Sequence, residues 1–266
     1  MVKRKSYPSD ISREKFAQIE PLLRGVRRNT KPVQLDLYEV FCAVLYLLRT
    51  GCQWRYLPPD FPKWQNVYAY WRKWTEPDLH GVSVLELALK KSVGVAREKL
   101  GRNASSTLLI VDAQSVKNTD TAGLKGYDAG KKISGIKRHI VVDTQGLPHA
   151  VAVTTAEVTD RKGALTALAR CQSGLKRVQS LLCDSGYVGQ PFAQGVREIL
   201  GGYVTVQIAK RSELHTFKVM PKRWIVERSF AWLEKSRRLW KNCERQLNTS
   251  LQFIHLAFLA LLLRRS

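Results

Sequence analysis

The stretch that most restricts the fold is "TLLIVD", residues 107–112. Four successive aliphatic residues, Leu108 to Val111, leave no polar face. A strand built from them is covered on both sides, as in a sheet flanked by helices. The run ends on a carboxylate, Asp112, and the chain turns polar and basic immediately after it. An Asp in that place is a turn former or part of a site. What else in the chain can meet it decides between the two.

Strand patterns continue downstream. "KRHIVVDTQG" is a second strand ending in a turn, and "LPHAVAVTTAE" a third, its hairpin partner. A helix from about Lys162 to Cys171, a fourth strand in "VQSLLCDSGY", a helix from Pro191 to Leu200 and a fifth strand in "GYVTVQIAK" follow. From Lys222 to Gln246 the periodicity is helical again. The order β-β-β-α-β-α-β-α lets the first and fourth strands lie parallel and adjacent through a right-handed crossover. Asp112 and Asp184 would then end neighbouring strands at the carboxyl edge of the sheet, where open α/β sheets place their ligands. Paired carboxylates raise each other's pKa and invite a divalent cation, and hard oxygen ligands suit Mg²⁺ or Mn²⁺.

The first hundred residues are helical instead. Ser12 can cap a helix carrying Phe16, Ile19, Leu22 and Leu23; a second carries Leu37 to Leu48 and stops at Gly51. Prolines 58, 59 and 62 bound a connection to a third, "QNVYAYWRKW", with Val67, Tyr70, Trp71 and Trp74 on one stripe and Arg72 and Lys73 off it. A fourth runs from about Leu79 to Leu100. This region is either a helix-turn-helix-like DNA reader or a plain bundle with a solvated basic face. The expected division is 1–101, all-helical, and 102–266, an α/β domain with C-terminal helices.

Charge narrows the partner. Lys plus Arg number 44 against 22 Asp plus Glu, a formal net charge of +22 spread along the chain. Self-repulsion on that scale calls for a polyanion, and nucleic acid fits better than a membrane surface. No secretory signal is read in "MVKRKSYPSD", and the apolar run Phe253–Leu263 is shorter than the ~20 residues of a membrane span. No membrane partner is expected, and that run reads as a buried helix. Five scattered cysteines without a C-x-x-C pair or zinc spacing suggest free thiols in a reducing compartment.

A third acid would complete a two-metal site, and Glu227 in "RWIVERSFAWLEKSRRLWK" is the candidate. On a helical wheel Ile225, Val226, Trp232, Leu233, Leu239 and Trp240 form the apolar stripe, opposite Arg223, Glu227, Glu234 and Arg238. Periodicity alone reads that polar face as solvated, with i,i+4 ion pairs.

Resemblance promotes Glu227. "VDAQSVK", "GYDAGKKISGIKRHIVVDTQG", "LLCDSGYVG" and "WIVERSFAWL" resemble the DDE transposases of bacterial insertion sequences, and more narrowly the insertion-sequence-five family. "LYLLRTGCQWRYLPPDFPKWQNVYAYWRKW" is similar to the helical domain that precedes the catalytic domain there. The resemblance covers nearly the whole chain. It implies a ribonuclease-H-like catalytic domain, a mixed five-stranded sheet with flanking helices, behind an all-α DNA-binding domain. It places the catalytic and metal-binding triad on Asp112, Asp184 and Glu227, holding two Mg²⁺ ions with Mn²⁺ as a substitute. Arg223 fits the Arg of the family's Tyr, Arg, Glu, Lys signature, whereas Met220 stands at its Tyr and Glu234 at its Lys.

The implied activity is cleavage of DNA phosphodiesters at terminal inverted repeats and joining of the 3′-hydroxyl to target DNA, by a homodimer in a synaptic complex. A bacterial cytoplasmic, nucleoid-associated protein is expected. The expected DNA contacts are Arg72, Lys73, Lys117, Lys131, Lys132, Lys137, Arg138, Arg223, Arg228, Lys235, Arg237 and Arg238, with Lys125, Lys222 and Lys241 nearby. Asp143 is expected to serve the hairpin turn, Asp128 to temper the basic loop, and His139 to be a sheet residue; Glu157 and Asp160 are outside candidates for metal binding. Two rival readings are a non-catalytic regulator derived from a transposase and a structure-selective nuclease of the same fold.

Overall fold

The computed structural model describes residues 4–26, 35–209 and 223–265. Their helices are α1 Arg13–Ala17, α2 Glu20–Arg24, α3 Leu37–Thr50, α4 Trp64–Thr75, α5 Val84–Glu98, α6 Asp160–Arg170, α7 Gln190–Leu200, α8 Arg223–Glu234 and α9 Leu247–Arg265. The strands are β1 Leu108–Lys117, β2 Gly126–Asp128, β3 Ile133–Val142, β4 Pro148–Thr155, β5 Ser180–Cys183 and β6 Thr205–Ile208. The chain forms two compact units. One takes residues up to Ser92 with Leu233–Trp240 and Gln252–Ser266; the other takes Val93–Trp232 and Lys241–Leu251. The apolar C-terminal segment thus belongs with the N-terminal helices.

In the helical unit the caps act as the sequence suggests. The Ser12 hydroxyl accepts from the Lys15 amide, and Asp36 starts α3 by accepting from the Tyr38 amide at 2.9 Å. Gly51, at φ +73°, ends α3 in the left-handed region. The single helix expected from Ser12 through Leu23 is two short ones, with Pro21 in the first turn of α2. Helix α3 buries Val40, Phe41, Cys42, Ala43, Val44, Leu45, Leu47 and Leu48, and so lies in the interior. Trp71 stacks on Phe253 at 4.4 Å, and the Trp74 indole donates to the Leu23 carbonyl at 3.0 Å. Residues 51–63 join α3 to α4, longer than the three- or four-residue turn of a helix-turn-helix, so this pair is not one.

Helix α9 is the one helix among the described residues long and apolar enough to cross a membrane, at mean hydropathy 1.3. Its 18-residue window is 72% buried in protein, as a core helix would be.

The second unit is built on a mixed sheet. Strands follow the order β2-β3-β1-β5-β6, with β4 also paired to β3. The β1–β3, β2–β3 and β3–β4 ladders are antiparallel, and β1–β5 and β5–β6 parallel. All five expected strands form, and the three-residue β2 joins them. Leu109, Val111 and Leu181 pack against Ala164, Leu168, Phe192 and Val196 of α6 and α7. Gly163 lets α6 close on β3: a Cβ there would lie 2.0 Å from the His139 ring.

Helix α5 begins at Val84 rather than Leu79, and two boundaries near the candidate acids also differ from expectation. β1 continues to Lys117, because its polar half stays paired with β3 from Ile110–Val142 to Lys117–Gly135. Asp112 is therefore mid-strand. Helix α8 stops at Glu234, and a 3₁₀ turn, Arg237–Leu239, follows. Trp240, assigned to an apolar stripe by extending the helix, is consequently exposed.

Candidate active site

The parallel ladder of β1 with β5 runs from Leu108–Ser180 to Ile110–Leu182. Asp112 and Asp184 each lie two residues past that last pair, so they share one face at one level of the sheet. Ile110, Val111, Asp112, Leu182, Cys183, Asp184, Ala209 and Val226 line a single open pocket. Asp184 is also the turn former that its sequence suggests: it accepts from the Gly186 amide at 2.9 Å and caps the turn Ser185–Tyr187. Asp112 accepts from the Ala113 amide at 2.7 Å. Both acids are half-buried.

Neighbouring groups report the field of the two carboxylates. Burial, then Asp184 and Asp112, pushes the Cys183 thiol well up. Burial, then Asp112, Asp160 and Asp184, does the same to Tyr187, whose buried hydroxyl has no hydrogen-bond partner among the described residues. Both side chains flank Asp184 in "LLCDSGY", where their residue types alone carry no signal of that environment.

Glu227 follows pocket-lining Val226 on α8 and is exposed. Among the described residues no group of three or more His, Cys, Asp or Glu is gathered closely enough to hold a metal. The oxygen donors Asp112 and Asp184 suit a hard divalent ion; the third carboxylate stands outside their cluster.

The other acids have structural partners. Asp143, fully buried, is ion-paired with Arg97 and accepts from the Gln145 and Leu147 amides at 2.8 and 3.0 Å. Asp128 and Asp160 hold the Lys137 ammonium between them at 3.3 and 2.9 Å. Burial opposes ionisation of Asp128, but the Ser115 hydroxyl, the Lys131 amide and Lys137 outweigh it and hold the carboxyl down at about 2. Glu157 is exposed and accepts from the Thr155 hydroxyl at 2.5 Å.

The basic candidates separate by burial. Arg72, Lys73, Lys117, Lys125, Lys131, Lys132, Lys235, Arg237 and Lys241 are exposed. Lys137 and Arg138 are not: they lie on β3 between β1 and β4, 5% and 2% exposed, so neither is placed for a surface contact. Arg238 is buried over the Phe253 ring and donates to the Cys52 carbonyl at 3.0 Å. Arg228 donates to the Gln145 carbonyl at 2.9 Å and lies between Trp224 and Trp232. Since α8 ends at Glu234, Lys235, Arg237 and Arg238 fall beyond the helix of Glu227. Arg223 opens α8, whereas Met220 and Lys222 lie outside the described residues.

Residues 103–263 match the family described as "Transposase DDE domain". The chain belongs to the DDE transposase family. Residues 11–80 match a second family, "Putative transposase of IS4/5 family", which agrees with the narrower type. A relative from Burkholderia cepacia, "Putative transposase for insertion sequence element IS402", is 36% identical over 134 residues, 48% of this chain and 60% of the relative. The chain thus spans less than two thirds of that relative's length. The mixed sheet, its flanking helices and the N-terminal helical region fit the ribonuclease-H-like architecture of DDE transposases.

Proposed function

We propose that this chain is the transposase of a bacterial insertion sequence, acting on double-stranded DNA in the cytoplasm, at the nucleoid. The observation that carries the reading is the register match of Asp112 and Asp184 on adjacent parallel strands, opening on one pocket. In this reading residues 1–101 recognise the terminal inverted repeats and residues 102–266 perform the chemistry. Asp112, Asp184 and Glu227 would hold two Mg²⁺ ions, or Mn²⁺ in their place, which when bound supply charge neutralisation at a phosphate and a more acidic water.

Water attacks the scissile phosphorus, the bond to the 3′ oxygen breaks, and that oxygen leaves as the 3′-hydroxyl of the element end. The hydroxyl then attacks a target phosphodiester and displaces its 3′ oxygen. Each step is an in-line displacement, so the task of the protein side chains is alignment and charge compensation. In this reading the exposed Lys131, whose ammonium lies 3.4 Å from the Ala113 carbonyl, and the exposed Lys132 and Lys117 neutralise DNA phosphates. Arg72 and Lys73 project from the exposed side of α4, opposite buried Val67, Trp71 and Trp74, and are assigned to repeat recognition. Two element ends processed together call for a homodimer on DNA.

The test is cleavage of duplex DNA carrying the element's ends, with Mg²⁺, by the full chain and by Asp112→Asn. Nicking at the ends by the parent alone, with both proteins binding DNA, is the expected result. Binding without nicking by the parent would favour the regulator; cutting without end preference or strand joining would favour the nuclease.

A further inference from the structure

Helix α8 is seated on the β3–β4 turn by contacts that the chemistry above does not use. The Ser229 hydroxyl, fully buried, lies 2.9 Å from the Gly146 carbonyl and 3.0 Å from the Ile225 carbonyl of its own helix. One residue earlier, the Arg228 guanidinium donates to the Gln145 carbonyl and is clamped 4.6 and 5.0 Å from the Trp224 and Trp232 rings. Gly146 stands at φ +79°, and a Cβ there would lie 2.8 Å from Ser229 Oγ and 3.0 Å from the Trp232 ring. Two consecutive carbonyls of the turn are therefore read by two consecutive side chains of the helix, at a spacing that only a glycine permits.

The turn itself is held from beneath. Asp143 accepts from the Gln145 and Leu147 amides and from His149 Nε2 at 3.3 Å, and its ion pair with Arg97 ties it to α5. Arg97 is fixed in turn by donating to the Asn103 carbonyl at 2.7 Å. The seat of α8 is thus a rigid element.

Helical geometry turns that seat into a setting for Glu227. Ser229 points at the turn, Val226 lines the pocket of Asp112 and Asp184, and Glu227 lies between them in sequence, about 100° round the helix from Val226 and about 200° from Ser229. Rotation of α8 about its axis moves Glu227 towards or away from the pocket, and the Gly146 and Gln145 carbonyls fix that rotation. We infer that the β3–β4 turn sets the approach of Glu227 to the other two acids, with Gly146, Ser229 and Arg228 as positioning residues. This rests on the reading of Glu227 as the third acid.

The test uses Gly146→Ala, Ser229→Ala and, as control, Gln145→Ala, since the acceptor at Gln145 is its backbone carbonyl. Mn²⁺ binding to the full chain is followed by electron paramagnetic resonance, beside end cleavage and end binding. In Gly146→Ala, cleavage should fall about tenfold or more, with Mn²⁺ half-saturation moved to higher concentration and DNA binding within about twofold of the parent. Ser229→Ala should shift both readouts the same way, and Gln145→Ala neither. Parental Mn²⁺ titrations in the first two variants overturn the inference, whatever their thermal stability. Should Gly146→Ala not fold, Ser229→Ala decides alone. If the parent cuts and Asp112→Asn does not, the functional reading survives that failure.

Discussion

Asp112 on β1 and Asp184, one residue past the end of the parallel strand β5, each lie two residues beyond the Ile110–Leu182 pair. β5 ends at Cys183 and its ladder with β1 stops at Ile110–Leu182, while β1 runs on against β3 to Lys117. The antiparallel β1–β3 ladder holds Asp112 in place by pairing it with Ile140. A half-buried carboxylate on an anchored strand, lining a pocket, is both fixed and accessible. That combination suits a group that must meet a substrate in a fixed position.

His139 should make the second unit acid-sensitive. It is fully buried, its Nε2 lies 2.9 Å from the Thr154 hydroxyl, and its Nδ1 has no partner among the described residues. Burial holds its pKa at about 4, against 6.5 for an ordinary histidine; Asp160 pulls it up, and Lys137 and Lys131 press it down. The unfolded chain therefore takes up a proton near pH 6.5 that the folded chain refuses until about 4. Stability present above 6.5 is lost as pH falls through that window, by something on the order of 2–3 kcal/mol. Urea midpoints at pH 7.5 and 4.5 measure it. His139→Asn should be less stable at pH 7.5 and lose much less on acidification; an unchanged pH slope would remove His139 as the cause.

Arg97→Met should be costly, because it strands the carboxylate of Asp143 in the interior. Breaking a buried pair from one side costs about 3–5 kcal/mol. Burial works against the charge on Asp143, but His149, the Leu147 amide and Arg97 outweigh it and hold the carboxyl below its usual range. In the parent that stabilisation is present above the unfolded carboxyl pKa and is lost as pH falls through the folded one. In Arg97→Met it should be reduced at pH 7, with His149 and the Leu147 amide still holding the carboxyl, and adding Asp143→Asn should recover part of the loss. Urea unfolding that finds less than about 1 kcal/mol of change would show the pair to be dispensable.

That Asp112 and Asp184 would meet was legible in the chain, since an apolar run ending on an acid and a matching "LLCD" can be aligned from strand order alone, and both line one pocket. The mid-strand position of Asp112 was not, because the second half of β1 is held by its neighbour β3 and carries no apolar run. Lys137 and Arg138 read as surface DNA contacts, yet β1 and β4 flank them and bury both. Only the identity of the neighbouring strands reveals that, and with it the need for Asp128 and Asp160 around the ammonium. The apolar spacing through Trp240 suggested a longer α8, but the chain leaves the helix at Lys235, where local periodicity had given no stop. The seat of α8 on Gly146 was invisible for a similar reason: nothing in "DTQGL" tells which helix will dock there.

The most direct measurement is the cation dependence of end cleavage by Asp112→Cys. A thiolate in place of a hard carboxylate oxygen discriminates against Mg²⁺ and tolerates a softer ion. The account predicts end binding like that of the parent, no cleavage with Mg²⁺, and measurable recovery with Mn²⁺. Undiminished cleavage by Asp112→Cys in Mg²⁺ would contradict it.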